Sequence, residues 1–387
     1  MPSLYIHVPF CVKKCDYCAF YSHSLLHSPK DLTSVYLDGL EVEMAKRGKD
    51  APLGVSSLFI GGGTPTALNN RDLDRFMTML HRHFQLNPGV ERTMEGNPGT
   101  ITSSKLEILR RYGINRFSLG VQSFDDRLLS AVGRLHSAKE AREAIGRLRT
   151  AGFENINLDL MFGLPGQDMA NWQATIEEAL SYSPEHLSLY GLMLEEGTPL
   201  YERYKEGSDE KINGIETVLP NDDLQAEMHD WAVERLKQVG YRNYETSNFA
   251  RPGFECQHNL GYWRGQDYLG LGPGGVSCLN RVRWKNIEEV HAYQSRLRDG
   301  QDPVEEAGEE VLSLHECMAE RMILGLRLEE GVNIISFKDD FGADLRNIYR
   351  KVLESYRDKE VFMVQGDYLR LNPKFSFVAN GILQEFV

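Results

Sequence analysis

The chain has 387 residues, of which 41% are hydrophobic and 26% charged, and its formal net charge is −13 at pH 7. Its length predicts two or three structural units. The excess of acidic residues argues against a nucleic-acid groove, because such a groove needs clustered Lys and Arg. The same excess fits the surface of a cytoplasmic protein. No apolar run approaches the ~20 residues that span a bilayer, so no transmembrane segment is expected, and peripheral contact with a membrane stays open.

The first half of the chain alternates predicted strands with predicted helices. Apolar runs predict strands at Leu4–Val8, Val55–Ile60, Arg92–Glu95, Arg116–Val121, Ile156–Phe162 and Leu187–Leu192. Helical apolar spacing predicts helices at Asp31–Arg47, Asn70–Phe84, Ser103–Tyr112, Ala138–Thr150 and Met169–Tyr182. Such units favour right-handed crossovers and a parallel sheet, either open and doubly wound or forming most of a barrel. In both arrangements the functional site lies at the carboxyl ends of the strands.

The pattern changes after residue 200, where the predicted elements are less regular. They are a polar irregular stretch at Tyr201–Gly214, a helix at Asp222–Gln238, a β-like Tyr244–Thr246, a glycine-rich structural loop at Asp267–Gly275, a helix at Leu312–Leu326 and a strand pair around Val361–Leu371. We therefore divide the chain into a βα unit at 1–200, a linking region at 201–310 and a small α+β unit at 311–387.

Three of the six cysteines lie close together, directly after the first predicted strand. Cys11, Cys15 and Cys18 indicate a metal or redox site in a reducing compartment, because the other three are too scattered for a disulfide framework. An iron–sulfur cubane held by three thiolates keeps one iron open, and S-adenosylmethionine (SAM) can bind that iron through its amino and carboxylate groups. The alternative is a zinc site that takes a fourth ligand such as His7 or His23.

The stretch Tyr5–Phe20, Y-I-H-V-P-F-C-V-K-K-C-D-Y-C-A-F, resembles the radical-SAM family that contains oxygen-independent coproporphyrinogen III oxidase and related haem chaperones. The resemblance covers nearly the whole chain. It implies an α/β fold in which a partial (β/α)6 radical-SAM barrel is followed by a smaller α+β HemN-type C-terminal domain. It also implies a [4Fe–4S] cluster on the three cysteines, with SAM as the exchangeable fourth ligand.

The residues expected around SAM lie near the ends of predicted strands. In Gly61–Gly63 the missing side chains let backbone groups approach a ligand. Glu95 needs a cationic partner, which is either SAM or a structural salt bridge. The resemblance implies that SAM is contacted by Tyr5, Tyr17, Gly62, Gly63, Thr64, Glu95, Gln122, Arg134 and Asp159.

Two departures from the oxidases of the family indicate its haem-chaperone branch. The oxidases carry a fourth cysteine two residues after the third, where this chain has Phe20, and a longer N-terminal extension. The sequence H-N-L-G-Y-W at 258–263 resembles a family motif proposed to bind haem, and it implies His258, Tyr262 and Trp263 as the haem element. The alternative is a histidine that is hydrogen-bonded in the core among its aromatic neighbours.

The resemblance implies a haem chaperone that binds haem as cargo and passes it to acceptor haemoproteins, with a reducing electron donor for the cluster. The first alternative is an oxidase that decarboxylates the propionates of coproporphyrinogen III, which Phe20 argues against. The second alternative is a zinc-stabilised α/β binding module. The sequence singles out no residue as catalytic.

Overall fold

The computed structural model describes residues 1–51, 53–205, 211–212, 215–216 and 218–387. Its centre is six parallel strands: β1 Ser3–Val8, β2 Ser57–Gly62, β3 Glu91–Gly96, β4 Arg116–Gln122, β5 Ile156–Phe162 and β6 His186–Gly191. They lie side by side in chain order, each parallel to the next. A doubly wound sheet reverses direction at a switch point. Among these six strands the order does not reverse, as the predicted partial (β/α)6 barrel requires.

Helices follow the strands along the chain. They are α1 Leu32–Arg47, α2 Asn70–His83, α3 Ser103–Arg111, α4 Asp126–Ala131, α5 Ala138–Thr150, α6 Met169–Ser181 and α7 Pro199–Tyr204. Two of them show why they begin where they do: Asn69 caps α2, and Ser137 forms a capping box with Glu140 at the start of α5. The five predicted helices end within one residue of the observed bounds, whereas the short α4 and α7 were not predicted.

The two faces of the six strands differ in chemistry because alternate residues of a strand point to opposite faces. One face carries apolar residues such as Ile6, Leu119 and Leu158, which are fully buried in the main core with the helices. Between them, polar residues such as Ser118 and Asp159 point to the other face and line a cavity. The barrel therefore has an apolar outside, covered by helices, and a polar interior.

Later strands extend both edges of this sheet. They are β7 Asn248–Ala250, antiparallel to β6; β8 Tyr268–Leu271, parallel to β1; and the antiparallel β9 Val276–Leu279 and β10 Val282–Lys285 beyond β8. The predicted structural loop at Asp267–Gly275 is therefore wrong in its first half. Leu269 and Leu271 are fully buried in the main core, and this burial favours a strand despite the neighbouring glycines.

Within the described residues, the rest of the linking region contains three helices and several short strands. The helices are α8 Asp222–Gln238, α9 Gln257–Trp263 and α10 Val290–Arg298. The two-residue strands described along the chain are Phe10–Cys11, His23–Ser24, Lys211–Ile212, Ile215–Glu216, Arg242–Asn243, Glu310–Val311 and Val332–Asn333. The β-like Tyr244–Thr246 forms only an isolated bridge, between Glu245 and Leu328. The irregular stretch predicted at Tyr201–Gly214 begins inside α7, and residues 206–210 and 213–214 of it lie outside the described residues.

The C-terminal residues form a small α+β unit with its own core. Its elements are α11 Leu314–Gly325, α12 Ile334–Phe341, α13 Leu345–Ile348, α14 Arg350–Ser355, β11 Phe362–Gln365, β12 Tyr368–Leu371 and α15 Ala379–Leu383. The predicted strand pair is present as the antiparallel β11 and β12, and Phe337 is fully buried in the separate core. The exact domain boundaries stay predictions. None of the helices described is both long and apolar enough to cross a membrane.

Candidate functional site

A cavity of about 590 Å³ opens at the carboxyl ends of β2–β6. The predicted residues on its wall are Cys11, Cys15, Tyr17, Cys18, Gly62, Gly63, Thr64, Glu95, Gln122, Arg134 and Asp159. Tyr5, His258, Tyr262 and Trp263 do not line it, although the adjacent Asn259 does. The fold thus brings most of the predicted SAM residues together with the cysteines, in a volume typical of a site for one small ligand.

The loop that carries the three cysteines is held from two sides. On one side its start, Phe10–Cys11, pairs with His23–Ser24. On the other side the Asp16 N–H donates to the Val132 carbonyl at 3.1 Å, and the Asp16 carboxylate accepts from Arg203 at 3.1 Å. The loop is therefore fixed between the end of β1 and the pair α4 and α7.

Two of the three thiols accept hydrogen bonds from side chains across the cavity. The Thr64 hydroxyl donates to Cys11 Sγ at 3.5 Å, and Arg134 Nη1 donates to Cys15 Sγ at 3.4 Å. Burial raises the pKa of the Cys11 and Cys18 thiols. Within the described part of the chain, no group of three or more His, Cys, Asp or Glu side chains is placed to hold a metal ion. The cysteines thus share one wall and its donors without forming a preorganised ion site.

Both histidines of the zinc alternative are hydrogen-bonded to Tyr21. His7 Nε2 donates to the Tyr21 carbonyl at 3.0 Å, which leaves His7 Nδ1 to accept from the Tyr5 hydroxyl at 3.0 Å. His23 Nε2 bonds with the Tyr21 hydroxyl at 2.7 Å. Neither histidine lines the cavity, so as placed neither faces the space that the cysteines share.

Two glycines at the end of β2, Gly62 and Gly63, form a cradle with no room for a Cβ. Gly62 has a φ of +107°, and a Cβ on it would lie 2.5 Å from the His7 ring. A Cβ on Gly63 would lie 2.6 Å from the Phe10 carbonyl oxygen. The bare backbone keeps room for a ligand, and the Gly62 N–H donates to Glu95 at 3.1 Å.

Two carboxylates share the barrel interior. Burial, and then the charge of Asp159, raise the pKa of Glu95 to about 8. Burial also raises the pKa of Asp159, although Asn157 donates to it at 2.7 Å and Ser118 at 3.2 Å. Arg116 lowers both pKa values without cancelling the effect of burial. So high a pKa shows that the ionised form of Glu95 lacks a partner that offsets burial, and a ligand that supplies a donor or a positive charge would stabilise that form.

Several residues of the interior were not predicted from the sequence. Those that line the cavity are Asn97, Arg116, Ser118, Asn157 and Ser188. Four of them lie in strands, where the alternation of polar and apolar letters, as in R-F-S-L-G at 116–120, could have revealed them. Asn97 follows β3 in a turn, and no sequence pattern marks it.

Gln122 ends β4 with an unusual backbone. Its φ is +66°, in the left-handed region that non-glycine residues seldom adopt. The pairing of β4 with β5 shifts register between Gly120 and Gln122. A bulge at a strand end re-aims the side chain, and here that side chain lies on the cavity wall.

The predicted haem element lies in α9, behind the cavity wall. The His258 ring is 1% exposed, with Nδ1 bonded to the Ser57 hydroxyl at 2.9 Å and Nε2 bonded to the Tyr262 hydroxyl at 3.2 Å. The Phe59 ring lies 5.1 Å away, centroid to centroid. Burial, and then Arg116, lower the pKa of His258 to about 3. As placed, His258 is thus neutral and hydrogen-bonded in the core.

The mouth of the cavity carries exposed apolar side chains. Phe20 is 70% exposed, and Met193 is 71% exposed. Tyr190, which lies between the interior and the rim, is 42% exposed. All three line the cavity together with Lys13. The rim therefore offers apolar surface and a cation to a ligand larger than the cavity.

Comparisons with known proteins extend over the whole chain. The radical SAM superfamily model matches residues 5–179, and the HemN C-terminal domain model matches residues 312–374. The haem chaperone HemW of Bacillus subtilis (strain 168) is 34% identical over 389 residues, which cover 100% of this chain and 99% of that protein. HemW of Lactococcus lactis subsp. lactis (strain IL1403) is 32% identical, with 100% and 97% covered.

A solved structure supports the fold. Coproporphyrinogen III oxidase (HemN) from Escherichia coli, described as a radical SAM enzyme, superposes with a TM-score of 0.84. The identity is 24%, and the match covers 100% of this chain and 90% of that one. At this identity the likeness shows a shared fold: a radical-SAM barrel with a HemN-type C-terminal domain.

Proposed function

The chain belongs to the HemW family of radical SAM proteins, and from this premise we propose that it binds haem and delivers it to haemoproteins in the cytoplasm. The observation that carries the proposal is similarity to haem chaperones along the full length of both chains. An electron donor for the cluster and an acceptor haemoprotein belong to the proposal as partners.

Family membership gives the chain a [4Fe–4S] cluster and SAM as cofactors, and the cavity residues fit both groups. Cys11, Cys15 and Cys18 supply three thiolates on one wall. Arg134 Nε is buried without a hydrogen-bond partner among the described residues, so it has a donor to offer a ligand. When bound, the reduced cluster supplies the electron for cleaving SAM. We assign Glu95 as the acceptor of an N–H of the SAM amino group, because its carboxylate accepts only the Gly62 N–H among the hydrogen bonds described.

We propose His258, Tyr262 and Trp263 as the haem element, with one structural condition. Both ring nitrogens of His258 are occupied by hydroxyl groups. Iron ligation needs one free nitrogen, so one of these two bonds must open before His258 can bind iron, and we propose that it is the longer bond, to Tyr262. The low pKa of His258 favours the neutral imidazole that a metal requires.

An anaerobic haemin titration of the reconstituted full chain tests this function. We expect saturable binding of one haem by the wild type and weaker binding by His258→Ala. The variant with Cys11, Cys15 and Cys18 all changed to Ala shows whether the cluster contributes. The matched control is His186→Ala, since His186 is also a buried histidine bonded to a tyrosine hydroxyl, that of Tyr244, at 2.8 Å.

Each outcome of the titration has a distinct meaning. Equal losses in His258→Ala and His186→Ala would show that the histidine acts through the fold and would remove His258 as the ligand. Absence of saturable haem binding by the wild type would contradict the chaperone function itself.

The second candidate function is oxidation of coproporphyrinogen III, which the fold shared with HemN leaves available. Phe20 in the fourth cysteine position argues against it. An anaerobic assay with coproporphyrinogen III, dithionite and SAM distinguishes the two functions. We expect no protoporphyrinogen IX, and its formation would favour the oxidase.

A further inference from the structure

A continuous set of side-chain hydrogen bonds links two of the three cluster cysteines. Arg134 donates from Nη1 to Cys15 Sγ at 3.4 Å and from Nη2 to Asn97 Oδ1 at 2.7 Å. Asn97 Nδ2 donates to the Thr64 hydroxyl at 2.8 Å, and that hydroxyl donates to Cys11 Sγ at 3.5 Å. We call Arg134, Asn97 and Thr64 the Asn97 relay.

The chemistry of the three side chains fixes the direction of every bond. A guanidinium only donates, so the Asn97 oxygen must face Arg134 and its amide nitrogen must face Thr64. A hydroxyl has one proton. Because the Thr64 oxygen already accepts from Asn97, its proton is directed to Cys11. Thr64 is 1% exposed, so water does not compete for that proton.

Arg134 is fixed by the same arrangement. Its Nη2 also donates to the Gly120 carbonyl at 2.6 Å, at the position where β4 shifts register. A Cβ on Gly120 would lie 2.8 Å from Asn97 Oδ1 and 3.3 Å from Arg134 Nη2, so the missing side chain makes room for this contact. Asn97 therefore lies at the centre of the relay and touches neither cysteine.

We propose that Asn97 is a positioning residue that sets the reduction potential of the cluster, by holding Arg134 and the Thr64 hydroxyl as donors toward two of its thiolates. Hydrogen bonds to the sulfurs stabilise the more negative, reduced cluster and raise its potential. The inference rests on the cluster that the family brings and is independent of haem binding.

The test is a redox titration of the reconstituted full chain, followed by electron paramagnetic resonance. In Asn97→Asp the new carboxylate accepts from both Arg134 and Thr64, so the Thr64 proton turns away from Cys11. In Thr64→Val the donor is lost while the shape of the side chain is kept. We expect each change to lower the equilibrium constant for reduction of the cluster about tenfold, which is a fall in its reduction potential of about 59 mV for one electron. Thr64→Ser, which keeps the hydroxyl, is expected to stay near the wild type.

A double-variant cycle separates the relay from the charge that Asn97→Asp adds. The added charge acts in both backgrounds, whereas the turning of the hydroxyl needs Thr64. We therefore expect Asn97→Asp to lower the potential less in the Thr64→Val background than in the wild type. Equal shifts in the two backgrounds would overturn the relay.

The amount of cluster in every variant is measured as iron and sulfide. This measurement determines whether the double-variant cycle or a simpler pair of variants is compared. If the double variant does not retain its cluster, the pair Thr64→Val and Thr64→Ser replaces the cycle. Equal potentials in that pair would overturn the proposal. Haem binding is measured in the same samples, so failure of the haem proposal and failure of the relay are distinguished.

Discussion

Glu95 illustrates how the barrel interior prepares one carboxyl for a cation. Its pKa is raised to about 8, first by burial and then by Asp159. At pH 7 the free protein therefore holds Glu95 mainly protonated, whereas an N–H donated by the bound SAM amino group favours the ionised form. Binding of SAM then releases a proton. The affinity for SAM therefore rises with pH up to about 8, by at most ~tenfold per pH unit.

We expect Glu95→Gln to bind SAM more weakly than the wild type. We also expect it to release fewer protons on binding, because the proton that Glu95 would lose is absent. Calorimetry at pH 7 in two buffers of different ionisation enthalpy measures that release. Glu43→Gln is the matched control, because Glu43 is a buried carboxyl with a raised pKa that does not line the cavity. Equal proton release from the wild type and Glu95→Gln would remove Glu95 from the SAM site.

Tyr262 decides whether His258 is available to haem. Its hydroxyl is bonded to His258 Nε2 at 3.2 Å, and Tyr262→Phe frees that nitrogen with almost no change of shape. A hydrogen bond of this kind contributes about 0.5–1.5 kcal/mol. If His258 ligates iron, haem affinity should therefore rise, by at most ~tenfold. Haemin titration measures the change.

The control for this prediction is Tyr268→Phe. The Tyr268 ring stacks edge-on against Tyr262 with 4.8 Å between centroids, and no bond between Tyr268 and His258 is described. An unchanged affinity in Tyr262→Phe would indicate that His258 is a core residue, the alternative that the sequence leaves open.

The helix α9 depends on a side chain from a distant strand. Its first residues have no local side-chain cap, and the Glu91 carboxylate of β3 accepts instead from the Gln257 N–H at 3.1 Å and the His258 N–H at 3.2 Å. Glu91 also lies 3.9 Å from the buried Arg116. One carboxylate therefore satisfies a helix terminus and a buried cation together.

We expect Glu91→Ala to lower the free energy of unfolding by about 3 kcal/mol, because it leaves the Arg116 charge without this partner. In this variant the rate of amide hydrogen exchange should rise in residues 256–263 before it rises in other segments. Glu107→Ala, on the exposed face of α3, is expected to stay within about 0.5 kcal/mol of the wild type. Equal protection of α9 in Glu91→Ala and the wild type would contradict this dependence.

The local periodicity of apolar residues predicts much of this fold, because an element that packs one face against the core has apolar residues at a regular spacing in the sequence. The predicted bounds of α5, α8 and β5 agree with the structure to the residue. β8 was missed because its pairing with β1 joins positions about 265 residues apart, and no local pattern encodes it. Asn97 and Glu91 were missed for the same reason: the fold brings their partners to them from distant parts of the sequence.

The two largest hydrophobic clusters of the described residues are the barrel core, in which Leu119 is fully buried, and the C-terminal core, in which Phe337 is fully buried. Between the units, a smaller buried cluster joins Leu328 of the C-terminal unit to four residues of the linking region. Arg264 also pairs there with Glu330 at 2.9 Å, with both side chains more than 40% exposed. An exposed pair contributes about 0–1 kcal/mol, and the smaller cluster has five buried members against the many of each large core, so each large core should determine the stability of its own unit.

We expect Leu119→Ala and Phe337→Ala each to cost about 3 kcal/mol, because both leave a cavity in a packed core. Segment-resolved hydrogen exchange in increasing urea should show the loss of protection confined to the unit that carries the change. Each variant thereby serves as the control for the other, and the residue at which protection changes tests the predicted boundary at 311. If either change lowers protection equally in both units, the chain unfolds as one cooperative body. The buried cluster around Leu328 and the ion pair between the units would then couple the two cores more strongly than their size suggests.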